Sequence, residues 1–219
     1  MLPNNLITDI RLSYSARRLG AVLYSRRNAL GSCRKSLKEL AAISTLCKDT
    51  VRKAVAELTD VGYISVERRY VYSDEYKGYI NDKSVYHCSL DFTGGYTLVP
   101  RSIFDCDIQS SAFVIYLYLY YQAGNRKRAF PSIRDMVKHI GIACSTVCRA
   151  LKILKTISQL LIWHCKGRDN KFRKNTYRFV QVVRNPFPGS HYTPKKEELK
   201  EPIAPISAPK NSTYTLRLS

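Results

Sequence analysis

Twice along the chain, three helix-spaced apolar runs are followed by strand-like alternation. In the first stretch, Ser15 to Arg26 sets Leu19, Val22 and Leu23 on one face of a predicted helix. The run Asn28-Ala29-Leu30-Gly31-Ser32 breaks it. Ser36 then offers an N-cap and Glu39 completes a capping box. A second helix therefore runs to about Ile43, with Leu37, Leu40 and Ala41 inward. A third runs from about Lys48 to Val61 and stops at Gly62, a residue that takes the left-handed turn ending a helix. Tyr63-Ile64-Ser65-Val66-Glu67 alternates as a strand, a polar tyrosine-rich loop follows, and Ser84-Val85-Tyr86-His87-Cys88 returns.

The second stretch repeats the first at an offset of 96 residues. Thr50-Val51-Arg52-Lys53-Ala54 answers to Thr146-Val147-Cys148-Arg149-Ala150, and the ungapped match from Ile7/Ile103 to Leu58/Leu154 holds 11 identities in 52 pairs. A unit this long is one of a domain pair, since solenoid periods are about 20–50 residues. Helices are predicted at Ser111 to Gln122, from Ser132 with Asp135, and at Cys144 to Thr156. The strand Leu160 to Cys165 pairs across a basic turn with Asn175 to Val180. Tyr116, Tyr118, Tyr120 and Tyr121 could be read as an alternating strand, but their alignment with Ser15–Arg26 makes this segment a helix. Its tyrosines are expected in the core and between the copies. Asp91 to Asp107 links the units, with Tyr96 to Pro100 extended. Six of nine prolines fall in 186–209, the composition of a disordered tail.

Composition adds a partner class. The 219 residues are 45% hydrophobic, enough for two small cores without disulfides or metal. The net charge of +19 points to a polyanion. It is uneven: residues 1–95 hold 15 Lys+Arg against 10 Asp+Glu, residues 96–183 hold 15 against 4, and residues 184–219 hold 6 against 3. The second copy is therefore expected to grip phosphate harder. No secretory signal is visible at Met1-Leu2-Pro3-Asn4-Asn5, and the longest apolar run, Ala112 to Tyr121, is about half of a membrane span. Seven cysteines without a regular framework read as reduced thiols in a cytosol.

Ser36-Leu37-Lys38-Glu39-Leu40-Ala41 with Thr50-Val51-Arg52-Lys53-Ala54-Val55-Ala56-Glu57-Leu58 and Gly62-Tyr63-Ile64 resembles the winged helix-turn-helix of DNA-binding proteins. Ser132-Ile133-Arg134-Asp135-Met136-Val137 with Thr146-Val147 and Arg149-Ala150-Leu151 resembles it again. The resemblance covers roughly residues 7–90 and 103–180. It implies a mainly α fold with small β (α+β): two tandem winged-helix domains, 1–92 and 93–183, each of three helices plus a β-hairpin wing, then a disordered tail, 184–219. Independently of the family, Val51, Ala54, Val55 and Leu58 must face the core. That leaves Lys48, Asp49, Thr50, Arg52, Lys53 and Ala56 outward, and in the second copy Cys144, Ser145, Thr146, Cys148, Arg149 and Lys152. A helix fits the major groove, where Arg52 and Arg149 are the expected base readers. Lys53 and Lys152 suit phosphate as point charges, and Thr50 and Thr146 can donate to it. Arg68 and Arg69 belong to the first wing. Lys166, Arg168, Lys171, Arg173 and Lys174 surround one glycine in the second, suited to phosphate or a minor groove. The first wing mixes five tyrosines between Tyr70 and Tyr86 with acids, pointing as much to a protein contact as to DNA.

Catalytic chemistry finds little support. The four histidines are scattered, there is no phosphate-cradling glycine loop, and Cys144, Cys148, His164 and Cys165 do not make a zinc hook. A thiol near Arg149 could be redox-sensitive, though packing against DNA is its favoured role. The expectation is a non-enzymatic, cofactor-free, cytoplasmic and nucleoid-associated prokaryotic protein that binds double-stranded DNA by sequence and regulates transcription. Its two reading helices would sit about one turn apart, roughly 34 Å, on non-identical half-sites. The alternatives are a plasmid or phage replication initiator and a winged-helix protein-interaction module, with the first wing or the tail as the protein contact. No membrane partner is expected, and no oligomeric state follows.

Overall fold

The computed structural model describes residues 1–124, 126, 128–157, 160–163 and 175–179, and these belong to one compact unit. The expectation of a disordered tail at 184–219 lies outside them. The architecture is mixed α+β: several helices and small antiparallel sheets.

In the first repeat, α1 (Asn4–Thr8) precedes α2 (Tyr14–Arg26), β2 (Ser32–Lys35), α3 (Leu37–Ser44), α4 (Lys48–Asp60) and β3 (Ile64–Glu67), and β6 (Ser84–Cys88) closes it. α2 starts at Ser13, whose hydroxyl accepts from Ala16 N at 3.1 Å. The capping box at Ser36 and Glu39 is formed in both directions. In the second repeat, a 3₁₀ helix (Arg101–Asp105) precedes α5 (Ser110–Ala123), β8 (Arg128–Ala129), α6 (Ile133–Ile140), α7 (Cys144–Thr156), β9 (Leu160–Trp163) and β10 (Thr176–Phe179). Ser132 and Asp135 form the second capping box. α3 and α6, like α4 and α7, begin and end 96 residues apart. Tyr116 and Tyr118 are buried in α5, which is helical along the whole alternating segment.

Each repeat has one strand more than a hairpin. β2 and β8 join their sheets as edge strands, in the orders β2-β6-β3 and β8-β10-β9. Ser-Cys-Arg-Lys gives β2 only one apolar inward residue, Cys33, too weak an alternation to read from sequence. The tyrosine-rich loop is itself a hairpin of β4 (Tyr70–Ser73) and β5 (Gly78–Asn81), with Tyr72 and Tyr79 edge to face at 5.6 Å. The link contains β7 (Tyr96–Thr97), which pairs with β1 (Leu2–Pro3).

The repeats pack reciprocally. α2 lies against α5, α1 against α6, and the 3₁₀ helix of the second repeat against α3 of the first. Equivalent elements thus exchange equivalent contacts, the isologous arrangement of a two-fold dimer, here within one chain. α2 is consequently buried nearly all round, including Arg17 and Arg18 at 2% exposure. Arg17 Nη2 donates to Ile140 O at 2.9 Å, at the C-terminus of α6 where a cation meets the negative end of the helix dipole, and its Nε donates to Leu12 O at 3.1 Å. Arg18 donates to the carbonyls of Ile108 and Cys106 and lies 5.2 Å from the Phe113 ring centroid. The aligned residues of α5 are Phe113 and Val114, so the same core position is a carbonyl clamp in one repeat and an apolar plug in the other.

Candidate nucleic-acid interface

α4 buries Val51, Ala54 and Leu58 and half-buries Val55; α7 buries Val147, Ala150, Leu151 and Leu154. Burial at this spacing fixes which side chains are left outside. On α4, Lys48, Asp49, Arg52, Lys53 and Ala56 are exposed and Thr50 is half-buried. On α7, Cys144, Ser145, Arg149 and Lys152 are exposed and Thr146 and Cys148 half-buried. The structure thus places all twelve residues read as outward from the sequence of these two helices on exposed or half-exposed surfaces.

The two faces differ in electrostatics. Arg52 donates to Asp49 at 2.6 Å, one turn back on α4. Both partners are well exposed, so the pair contributes little to stability and opens readily to another acceptor. The Thr50 hydroxyl is 2.9 Å from the Cys47 sulfur, and this bond first, with backbone bonds from Thr50 and Asp49, pushes the Cys47 thiol down. Glu57 accepts from Ser13 N at 2.9 Å and so closes the start of α2. α7 carries Arg149, Lys152 and Lys155 and no acid. Neither Arg149 nor Lys152 is ion-paired to any described residue.

Between α4 and the sheet of the first repeat lies an open groove of about 910 Å³. Lys38, Lys48, Arg52 and Arg68 line it, with Leu37, Val55, Val66 and Tyr86 as its apolar lining. Asp82, also in its lining, is held by Arg34 at 2.5 Å. Glu39 accepts from Lys83 Nζ at 2.8 Å and from Ser36 N; Lys83 first, then Ser36, hold its carboxyl down at about 2. Arg69 is exposed and pairs with Glu67 at 2.9 Å, outside the groove lining.

On the β4–β5 hairpin the exposed large hydrophobic side chains are Tyr70, Val71, Tyr72, Tyr76, Tyr79 and Ile80, beside exposed Asp74, Glu75 and Lys77. The corresponding cations of the second repeat, Lys166, Arg168, Lys171, Arg173 and Lys174, lie outside the described residues. Sequence reasoning missed Arg17 and Arg18. The visible signal was two charges inside an otherwise apolar helix, aligned with Phe113 and Val114. Among the described residues no three His, Cys, Asp or Glu converge to hold a metal, and no helix is long and apolar enough to cross a membrane.

No family model and no curated protein matches the chain. Among solved structures it is similar to a chain of the Nse1-Nse3-Nse4 complex, at 11% identity and a TM-score of 0.25, over 78% of this chain and 69% of that one.

Proposed function

We propose that this chain is a sequence-specific double-stranded DNA-binding protein made of two tandem winged helix-turn-helix units, and that it regulates transcription. The observation that carries the reading is the outward face of α7, an acid-free row of Ser145, Arg149 and Lys152 on a helix whose opposite face is fully buried. Such a face offers donors to base edges and phosphates at helical spacing. The reciprocal packing of the repeats supports it, because an isologous pair suits two half-sites of opposite orientation. The half-sites are unlike, since Arg52 is replaced by Cys148 and Ala56 by Lys152.

A salt titration on a selected duplex and on random DNA tests this. The log–log slope of affinity against salt is expected at about −4 to −8, from roughly five to nine phosphate contacts. Affinity that barely changes between low and moderate salt would end the phosphate-binding reading. Genome-wide footprints then separate promoter sites from the directly repeated sites of a replication initiator.

A second reading rests on the first repeat alone. From Lys48 to Cys88 it has seven Lys/Arg against seven Asp/Glu, and its hairpin exposes Tyr70, Tyr72, Tyr76 and Tyr79. Neutral, tyrosine-rich surfaces suit protein partners better than phosphate. In this reading the second repeat holds DNA and the first holds a protein.

A further inference from the structure

We propose that Cys144 and Cys148 form a thiol–disulfide exchange site on the outward face of α7, with a low-molecular-weight disulfide as its reaction partner. The two cysteines stand 96 residues after Lys48 and Arg52, so where the first repeat lines its groove with cations the second presents two thiols. They are i, i+4 on one helix and share a face. Cys144 is exposed and Cys148 half-buried, and burial first, then the neighbouring Cys144, push the Cys148 thiol up.

The other described cysteines lack this combination. Cys33 and Cys88 are buried, out of reach of a dissolved disulfide. Cys106 is half-buried and donates to Ser102 O at 3.3 Å. Cys47 is exposed but stands alone beside Thr50.

Exposure makes Cys144 the attacking group and Cys148 the resolving one. The Cys144 thiolate attacks one sulfur of the disulfide, forming a mixed disulfide and releasing one thiolate. The Cys148 thiolate then attacks the Cys144 sulfur, forming the Cys144–Cys148 bond and releasing the second. Two protons leave the protein and two electrons reduce the partner to two thiols.

Ring closure strains the helix. Four residues of α-helix span about 6 Å, within the usual Cα separation of a disulfide. Side chains at i, i+4 hold their Cβ atoms about 5–6 Å apart, whereas a disulfide needs about 3.5–4.5 Å. The first turn of α7 must give. Its N-cap is Ala143, which supplies no side-chain acceptor, while Ser36 and Ser132 cap α3 and α6. Closing the bond therefore loosens Ser145 and Thr146, and the consequence for DNA rests on the reading above.

The full chain is treated with oxidised glutathione, digested without reductant and mapped by mass. A Cys144–Cys148 link is expected, reversed by dithiothreitol, while Cys144→Ser and Cys148→Ser stop at a mixed disulfide or earlier. Amide exchange over 145–147 is expected to speed up on oxidation, and this readout needs no DNA. DNA affinity is then expected to fall about tenfold, the loss of one good contact, in wild type and not in the double Ser variant. A stable mixed disulfide at both cysteines, a link from Cys144 to Cys165 instead, or unchanged amide exchange would overturn the site. Absent DNA binding in the reduced protein would overturn only the DNA reading.

Discussion

α4 and α7 occupy equivalent places on equivalent scaffolds, and they present different chemistry. α4 bears Lys48, Arg52 and Lys53 together with Asp49, Glu57 and Asp60, whereas α7 bears three cations and no acid. Over the longer segments the contrast grows: from Lys48 to Cys88 seven cations face seven acids, while from Cys144 to Phe179 nine face one. The buried residues on the same two helices barely change: Val51/Val147, Ala54/Ala150 and Leu58/Leu154 are identical and all buried. A close-packed core restricts what can be substituted, while a solvated face accepts changes at little cost in stability. The duplication has thus kept its scaffold and diverged in what it offers to partners.

The interior offers the largest break in that symmetry. Arg17 clamps Ile140 O and Leu12 O where Phe113 fills the matching site. Arg17→Ala should cost about 3 to 5 kcal/mol, because several buried carbonyls lose a charged donor at once. Urea unfolding measures it. A cost below about 1 kcal/mol would show that the carbonyls find other donors, and that Arg17 does not hold the repeats together.

The outward faces come next. Arg149→Ala with Lys152→Ala should weaken the selected duplex by about 2 to 4 kcal/mol, roughly 30- to 1,000-fold. The equivalent change in the first repeat, Arg52→Ala with Lys53→Ala, should cost under about 1 kcal/mol, since Asp49, Glu57 and Asp60 on the same helix offset the attraction of its cations for phosphate. Filter binding or fluorescence anisotropy on both variants decides. Equal losses would put the two helices on the same footing and remove the protein-contact reading of the first repeat.

The scaffold was legible in sequence because it is written in short-range signals. Ser36 with Glu39 and Ser132 with Asp135 mark helix starts by local hydrogen bonds, and the helical spacing of Val51, Ala54 and Leu58 marks the buried face. β2 and β8 were not legible, because each becomes a strand only by pairing with β6 or β10, some 50 residues later in the chain. The β4–β5 hairpin exposes nearly all its side chains, so no in-out alternation separates it from a loop. The clamp by Arg17 and Arg18 depends on carbonyls in the other repeat, and no local pattern announces it. For the candidate interface, periodicity told which residues face out, while the neutralisation of Arg52 by Asp49 and the bonding of Thr50 to Cys47 needed the geometry.

The repeats also end their second helices differently. α3 ends at Thr45 with φ 53° and α6 at Gly141 with φ 72°, both left-handed. The left-handed turn costs a β-branched residue about 1 to 2 kcal/mol, and a glycine adds about 0.5 to 1 kcal/mol of unfolded-state entropy against itself. Thr45→Gly should therefore stabilise the protein by about 0.5 to 1 kcal/mol, and Gly141→Thr should destabilise it by a similar amount or more, because a Cβ there would meet Ile10 Cγ2 at 3.2 Å. Thermal unfolding of both variants checks the sign, and a destabilised Thr45→Gly would show that the threonine side chain contributes a contact that outweighs its strain.

The smallest effect lies in the first capping box. Glu39 accepts from Lys83, which reaches across from beside β6, as well as from Ser36 N. Its carboxyl sits at about 2, below the ordinary 4.5, held first by Lys83 and then by the Ser36 backbone. The folded pKa lies below the unfolded one, so the stabilisation is fully present above about pH 4.5 and is lost as pH falls toward about 2. Lys83→Met removes the larger cause, so the folded pKa rises toward its ordinary value and less stability depends on pH in that window. Urea midpoints of wild type and variant should therefore lie apart near neutrality and converge on acidification. Because the pair is exposed, the gap should also close in about 1 M salt, where the screening length is roughly 3 Å. Midpoints that stay parallel through the acid range would assign Lys83 to packing against the sheet and leave the Glu39 carboxyl without an electrostatic role in stability.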